Sequence, residues 1–303
     1  MIAEEILEMV VRSSIALLLA TLGEIITERS GILNLGIEGM MAVGAASAFF
    51  VTFYTQNPFL GIIAAIFSSS ALAFLHAIYS IKLKQNQILS GLAISMLGCG
   101  LSVVIGRDLV GFPLEKRLSS IPIPYLSDLP FIKVFFNQDP IVYFAFIAIP
   151  LLWFLLFKTR WGIIIRVVGE EPAFADLCGI NVFKVRYLCT LFGGAMSGLA
   201  GAYLSLSYTP AWVEGMTMGQ GWIALALVIF SAWNPLYALC VYIFGMIRAV
   251  QYYLQPLGIP VPFLMMLPYI STIFALIIYS HPKLRNIFEV PSSLAQPYER
   301  EKT

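Results

Sequence analysis

The sequence predicts an all-α integral membrane protein, a polytopic helical bundle of about nine transmembrane spans forming one membrane domain over residues 1–303. Three observations carry this expectation. Apolar residues make up 59% of the chain and charged ones 12%, half the roughly 25% of a soluble domain. The apolar residues gather in stretches near the roughly 20 residues that a helix needs to cross a bilayer core. Eighteen Lys and Arg against 17 Asp and Glu leave a net charge of +1, so no basic surplus exists to grip nucleic acid, and the lipid bilayer is the expected partner.

The segment of the first stretch, 6–23, opens with Glu4, Glu5 and Glu8 rather than the basic start of a signal peptide, so a retained first helix is expected. Segment 24–30, with Arg29, is expected as a loop. The second stretch, 31–54, opens with Gly31, Asn34, Gly36, Glu38 and Gly39, which make a poor regular helix and leave backbone groups open. Glu38 is either a polar element of a path or gate, or an ion-pair partner of Arg29 or a helix cap. The third and fourth stretches, 59–81 and 87–106, flank a loop bearing Lys82 and Lys84. Asn86, Gln87 and Ser90 at the mouth of the fourth either cap it or line a polar path.

Segment 107–139 contains Pro113, Pro122, Pro124 and Pro130, with Pro140 just beyond. It is expected to be ordered by turns, as a cap or as a docking surface for an external protein. After the fifth stretch, 140–157, the loop 158–186 holds one short helix: Pro172 suits its first position and Gly179 the residue past its end. Phe174, Leu177 and Cys178 share one face, suited to lie on headgroups or to plug a protein groove. The sixth stretch, 187–208, carries Gly193, Gly194, Gly198 and Gly201 at spacings for close helix packing. A second glycine break runs from Glu214 to Trp222, ahead of stretches 219–233, 235–255 and 263–280, the first two meeting at Asn234-Pro235.

Orientation follows from basic residues at span ends. Arg29, Lys82, Lys84, Lys158, Arg160, Arg166, Lys184, Arg186, Lys283 and Arg285 fall on one side, against Arg107, Lys116, Arg117 and Lys133 on the other. The N-terminus is therefore expected outside and the C-terminus in the cytoplasm. The two breaks then sit at opposite faces, the pattern of an inverted repeat and a pointer to a translocation site.

Cys99, Cys178, Cys189 and Cys240 form no metal spacing and are expected as small buried hydrophobes. His76 and His281 are too few for a metal centre or a charge relay, and no phosphate-binding GxxxxGK[ST] loop is present. No enzyme is expected, and no cofactor.

The run GEIITERSGILNLGIEGMMAVGA, Gly23 to Ala45, resembles the signature of permease subunits of ATP-binding-cassette (ABC) importers in the simple-sugar and branched-chain amino acid permease superfamily. It is closest to the nucleoside-type branch, as are NQILSGLAIS (Asn86 to Ser95), VGEEPAFADLCGINVFKVR (Val168 to Arg186) and GMTMGQGWIALALVIFSAWNPLYA (Gly215 to Ala238). Gln220 stands where related proteins often carry a basic residue, and Ser95 where an Asn is common.

The resemblance implies a permease subunit of the inner cell membrane, with ATP bound and hydrolysed in a separate cytoplasmic ABC ATPase. Glu171, Pro172, Phe174, Asp176, Leu177 and Gly179 become the coupling helix that docks into that ATPase. Asn34, Glu38, Gln220 and Trp222, with Asn86 and Gln87, become candidate wall of the substrate path, where Trp222 stacks on a base. A second, non-identical permease and a solute-binding lipoprotein or periplasmic protein complete the machine. Nucleosides are the expected substrate class, with simple sugars or a riboflavin-like vitamin as the alternatives. The rival from another class is a carrier driven by an ion gradient through Glu24 or Glu38.

Overall fold

The computed structural model describes residues 2–129, 131–257, 259–279 and 290–299. Pro130, His281, Lys283 and Arg285, used above, lie outside the described residues, as does residue 280 at the end of the last stretch.

The helices are α1 (Ile2–Arg29), α2 (Ile37–Thr55), α3 (Pro58–Ala77), α4 (Gln87–Gly106), α5 (Lys133–Phe136), α6 (Pro140–Lys158), α7 (Arg160–Glu170), α8 (Pro172–Leu177), α9 (Val182–Tyr203), α10 (Gln220–Phe230), α11 (Val241–Leu254), α12 (Val261–Met265) and α13 (Leu267–Tyr279). Among the described residues, seven are long and apolar enough to cross a membrane, some extended by a π or 3-10 turn, while α10 and the apolar helix at 262–274 are shorter. Each of the nine apolar stretches of the sequence overlaps one of these helices, seven of which have the length to cross.

Several helix starts are fixed by side chains. Asn57, Asn86, Asp139 and Asn181 each accept from a backbone N–H of the first turn of α3, α4, α6 and α9, satisfying donors that the helix itself leaves open.

The centre of the bundle is α9, packed on α1, α2 and α3. Its glycines make that approach possible. A Cβ at Gly193 would overlap the Thr27 hydroxyl, one at Gly198 the Ala65 carbonyl, and one at Gly201 the Met41 carbonyl. Gly201→Leu is therefore expected to cost at least about 1–3 kcal/mol through overpacking and to remove the monodisperse peak of the detergent-extracted protein in size-exclusion chromatography. Gly100→Leu, where a Cβ meets nothing within 4 Å, should keep that peak.

Three expectations are corrected. Segment 24–30 is not a loop: α1 continues to Arg29, and Glu24, Thr27, Glu28 and Arg29 are all buried. The helix persists because its charges find partners inside the protein, as described below. Loop 158–186 holds more helix than expected: α7 is started by the Thr159 hydroxyl, which accepts from Gly162 N–H at 3.2 Å, and α9 begins at Val182. Of the cysteines, only Cys189 is buried, whereas Cys178 is exposed at the end of α8.

Segment 107–139 is mostly turns, as its prolines suggest. It also contains a two-residue antiparallel pair, β1 (Ile121–Pro122) with β2 (Asn137–Gln138), and the single turn of α5. Its inner edge is pinned to the segment after α9, Leu114 N–H donating to the Pro210 carbonyl at 3.4 Å and Leu118 N–H to Leu206 at 3.2 Å.

Candidate functional site

The first glycine break, residues 31–36, separates α1 from α2 and runs beside α4. Its freed backbone groups are taken up by side chains, as non-helical backbone among apolar helices requires. Asn34 Oδ1 accepts from Gly36 N–H at 3.0 Å, while the Asn34 backbone N–H and Nδ2 donate to the Glu24 carboxylate at 3.2 and 3.4 Å. Gln87 Oε1 accepts from Leu33 N–H at 2.8 Å, and His76 Nε2 lies 3.2 Å from the Leu33 carbonyl. Asn86 is exposed and caps α4.

The break and the start of α2 lie close against α4 because glycines of α4 face them: a Cβ at Gly91 would overlap Leu35, and one at Gly98 would overlap Gly39. From Gln87, beside Leu33, to Gly98, beside Gly39, α4 rises about 16 Å. That is about half of a 30 Å hydrocarbon core, so Glu38 is placed deep in the bundle.

The second break ends there too. Gly215, Met218 and Gly219 have φ of +69°, +47° and +74°, and Gly219 caps α10 without a side chain of its own. Glu38 supplies what is missing. Its Oε1 accepts from Thr217 Oγ1 at 2.5 Å and Gly219 N–H at 2.9 Å, and its Oε2 from Gly221 N–H at 2.7 Å. A carboxylate on the open N–H groups of a helix start gains from charge-assisted hydrogen bonds and from the helix dipole. The two breaks that the sequence separates by some 180 residues thus meet at one buried carboxylate, 6% exposed.

Arg29 lies at the other end of α10, donating to the carbonyls of Trp233 at 3.0 Å and Ala232 at 3.3 Å. Trp233 Nε1 donates to Glu28 Oε2 at 2.6 Å. Helix α10 is therefore held at both ends by charged residues of the first glycine-rich motif. Of the two alternatives for Glu38 as a structural group, ion pair or cap, the cap is the one formed.

A cavity of about 800 Å³ opens between the start of α1, the 208–218 segment, α10, α11 and α13. Among the six candidate path residues, Gln220 lines it; it is 2% exposed and its Oε1 lacks a hydrogen-bond partner. Trp222 is 42% exposed and outside the cavity wall, Asn34 and Gln87 are committed to the first break, and Asn86 caps its helix. The wall also contains Arg248, which sequence reasoning missed although it is the one formal charge within the apolar stretch 235–255.

At the Arg29 end of the bundle stands α8, with Pro172 in its first turn, Glu171 before it and Gly179 at φ +81° after it. Ala175 is buried against the bundle while Phe174 and Leu177 are 55% and 86% exposed, so the predicted apolar face is present and points away from the protein. Residues 290–299 lie under this helix. Tyr298 donates to Asp176 Oδ2 at 3.1 Å, the Ser293 hydroxyl and N–H both donate to the Gly169 carbonyl at 2.7 and 2.9 Å, and Arg186 reaches Ser30, Ser293 and Gln296. Lys84 Nζ, 2.9 Å from Glu299 Oε1, holds that exposed carboxyl below the usual carboxylate range through its hydrogen bond and its charge.

The family described as branched-chain amino acid transport system, permease component, matches residues 6–276. The chain belongs to this family. The permease is 40% identical to a Haloferax volcanii protein named "Putative glucose ABC transporter permease protein TsgC13", over 99% of this chain and 98% of the relative. It is 36% identical to the guanosine ABC transporter permease protein NupQ of Bacillus subtilis, over 86% of this chain and 87% of that one. It is 32% identical to the nucleoside ABC transporter permease protein NupC of Lactococcus lactis, over 88% and 89%. No solved structure matches. The permease is a multi-pass membrane protein, and these relatives are named as permeases rather than as enzymes.

Proposed function

We propose that this permease is the membrane subunit of an ATP-driven ABC importer for nucleosides, residues 1–303 forming one transmembrane domain in the inner membrane. The observation that carries it is the pair of relatives named for guanosine and nucleoside transport, each matched over most of both chains. The chain crosses nine times, N-terminus outside and C-terminus in the cytoplasm, with the two glycine breaks as halves of an inverted repeat. Helix α10 is then a half-helix running inward from Glu38, and the cavity faces outward.

Helix α8 inserts Phe174 and Leu177 into a cytoplasmic ABC ATPase, where ATP is bound and hydrolysed. Glu171, Pro172, Asp176 and Gly179 shape that helix and hold it in place. A second, non-identical permease completes the pore, and a solute-binding protein delivers the substrate. Glu38, Asn34 and Gln87 shape the path by holding its two breaks, and Gln220 faces the substrate directly. Closure of the ATPase dimer moves α8, and substrate crosses as the contacts around α10 change between the two states.

Sugar uptake is the second reading, favoured by the 40% identity to the Haloferax volcanii relative. Uptake of radiolabelled nucleoside by cells carrying the complete operon separates the two. The nucleoside reading expects uptake that collapses when this subunit is deleted and that excess glucose leaves unchanged. Undiminished nucleoside uptake after the deletion overturns it, and glucose uptake lost on deletion establishes the sugar reading in its place.

A further inference from the structure

Arg248 is a charge in the middle of α11, within an apolar stretch. Among the described residues it forms no ion pair and donates no hydrogen bond. A guanidinium in such a place is costly unless something binds it, and in a membrane protein it marks a functional site. The other guanidinium of the cavity wall, Arg12, is occupied, 3.7 Å from Glu8 and bonded to the Ser207 carbonyl at 3.4 Å.

Arg248 shares its cavity with the unpartnered, almost fully buried Gln220 Oε1. Donor and acceptor capacity are thus both left open in one chamber of about 800 Å³, within the roughly 300–1,000 Å³ range of small-molecule sites. Tyr208, Tyr252 and Tyr269 bring aromatic rings to the same wall, and Tyr269 is fixed by donating its hydroxyl to the Met218 carbonyl.

We propose that Arg248 and Gln220 form a base-reading subsite for a purine nucleoside that carries an oxygen at position 6. This rests on the nucleoside reading above and deepens it. The planar fork of an arginine matches two acceptors side by side, O6 and N7 of such a purine. Adenine sets an amino donor where O6 would be, so two donors face one another and adenine is rejected by an unmatched contact rather than by size. Gln220 Oε1 accepts from a nucleoside N–H or hydroxyl, and the tyrosine rings supply faces for stacking.

The test is uptake of labelled guanosine by cells carrying the whole importer, with unlabelled inosine or adenosine as competitor. The intact system is expected to be inhibited by inosine about tenfold more strongly than by adenosine. Arg248→Gln should shrink or reverse this preference, because an amide pairs with N6 and N7 of adenine, while the complex is still recovered from the membrane. Arg248→Lys, which keeps the charge but not the fork, should transport guanosine with the preference lost, and decides the matter if the amide variant fails to assemble.

An unchanged preference in an assembled variant overturns the subsite. So does an equal loss of all nucleosides, which indicates a lipid or packing contact. Absence of nucleoside uptake by the intact system strikes instead at the nucleoside reading itself.

Discussion

Phe174→Asp combined with Leu177→Asp is expected to bring uptake to background while leaving the amount of permease in the membrane unchanged. Both side chains are more than half exposed, so within the permease the change stays within about 0.5 kcal/mol of neutral. Against a partner groove the same residues are apolar anchors. Truncating such anchors costs about 2 kcal/mol or more each, and two of them weaken docking by about a thousandfold. Affinity purification of the tagged permease in mild detergent should then recover no ATPase, whereas the unaltered protein brings it down. An ATPase that stays bound to the double variant would show that α8 is not the plug, and recovery of the unaltered protein alone would return the ion-driven carrier to consideration.

Glu38→Gln carries the second large effect. The carboxylate receives three donors at the start of α10, and hydrogen bonds to a charged group contribute about 1.5–3 kcal/mol each. The amide keeps one acceptor oxygen but turns an NH₂ toward a donor and loses the charge that suits a helix start. Uptake is expected to fall at least about tenfold and the melting temperature of the purified protein by about 5 °C, taking a loss near 2 kcal/mol. Glu38→Ala leaves the Gly219 and Gly221 N–H groups and the Thr217 hydroxyl without their acceptor, and should reduce the recovered protein itself. Full uptake and unchanged melting in Glu38→Gln would remove the clasp from any role in transport.

The seven long apolar helices were legible because burial in lipid needs long apolar runs, and a run is a local property of sequence. The short helix α8 and its exposed apolar face were legible for the same reason: Pro172, Gly179 and the spacing of Phe174 and Leu177 are all short-range signals. Misreadings cluster where charges lie inside the protein. Glu24, Glu28 and Arg29 suggested water, yet their partners are Asn34, Trp233 and the carbonyls of a distant turn. The Glu38 clasp joins residues some 180 positions apart, which no local periodicity encodes. Trp222 lies outside the cavity wall, whereas Arg248 within it is the one charge that interrupts the apolar stretch 235–255, a signal that is present in the sequence.

The clasp of residues 290–299 under α8 bears on how this protein can be handled. Tyr298 and Glu299 are tied to Asp176 and Lys84, so a bulky reporter joined directly after them would pull on α8, the helix proposed to dock. Tyr125, 87% exposed in the proline-rich 107–139 segment, sits at the kind of turn that tolerates an insertion. An epitope placed there reports the permease from the opposite end of the bundle, and leaves the joint at α8 as the chain built it.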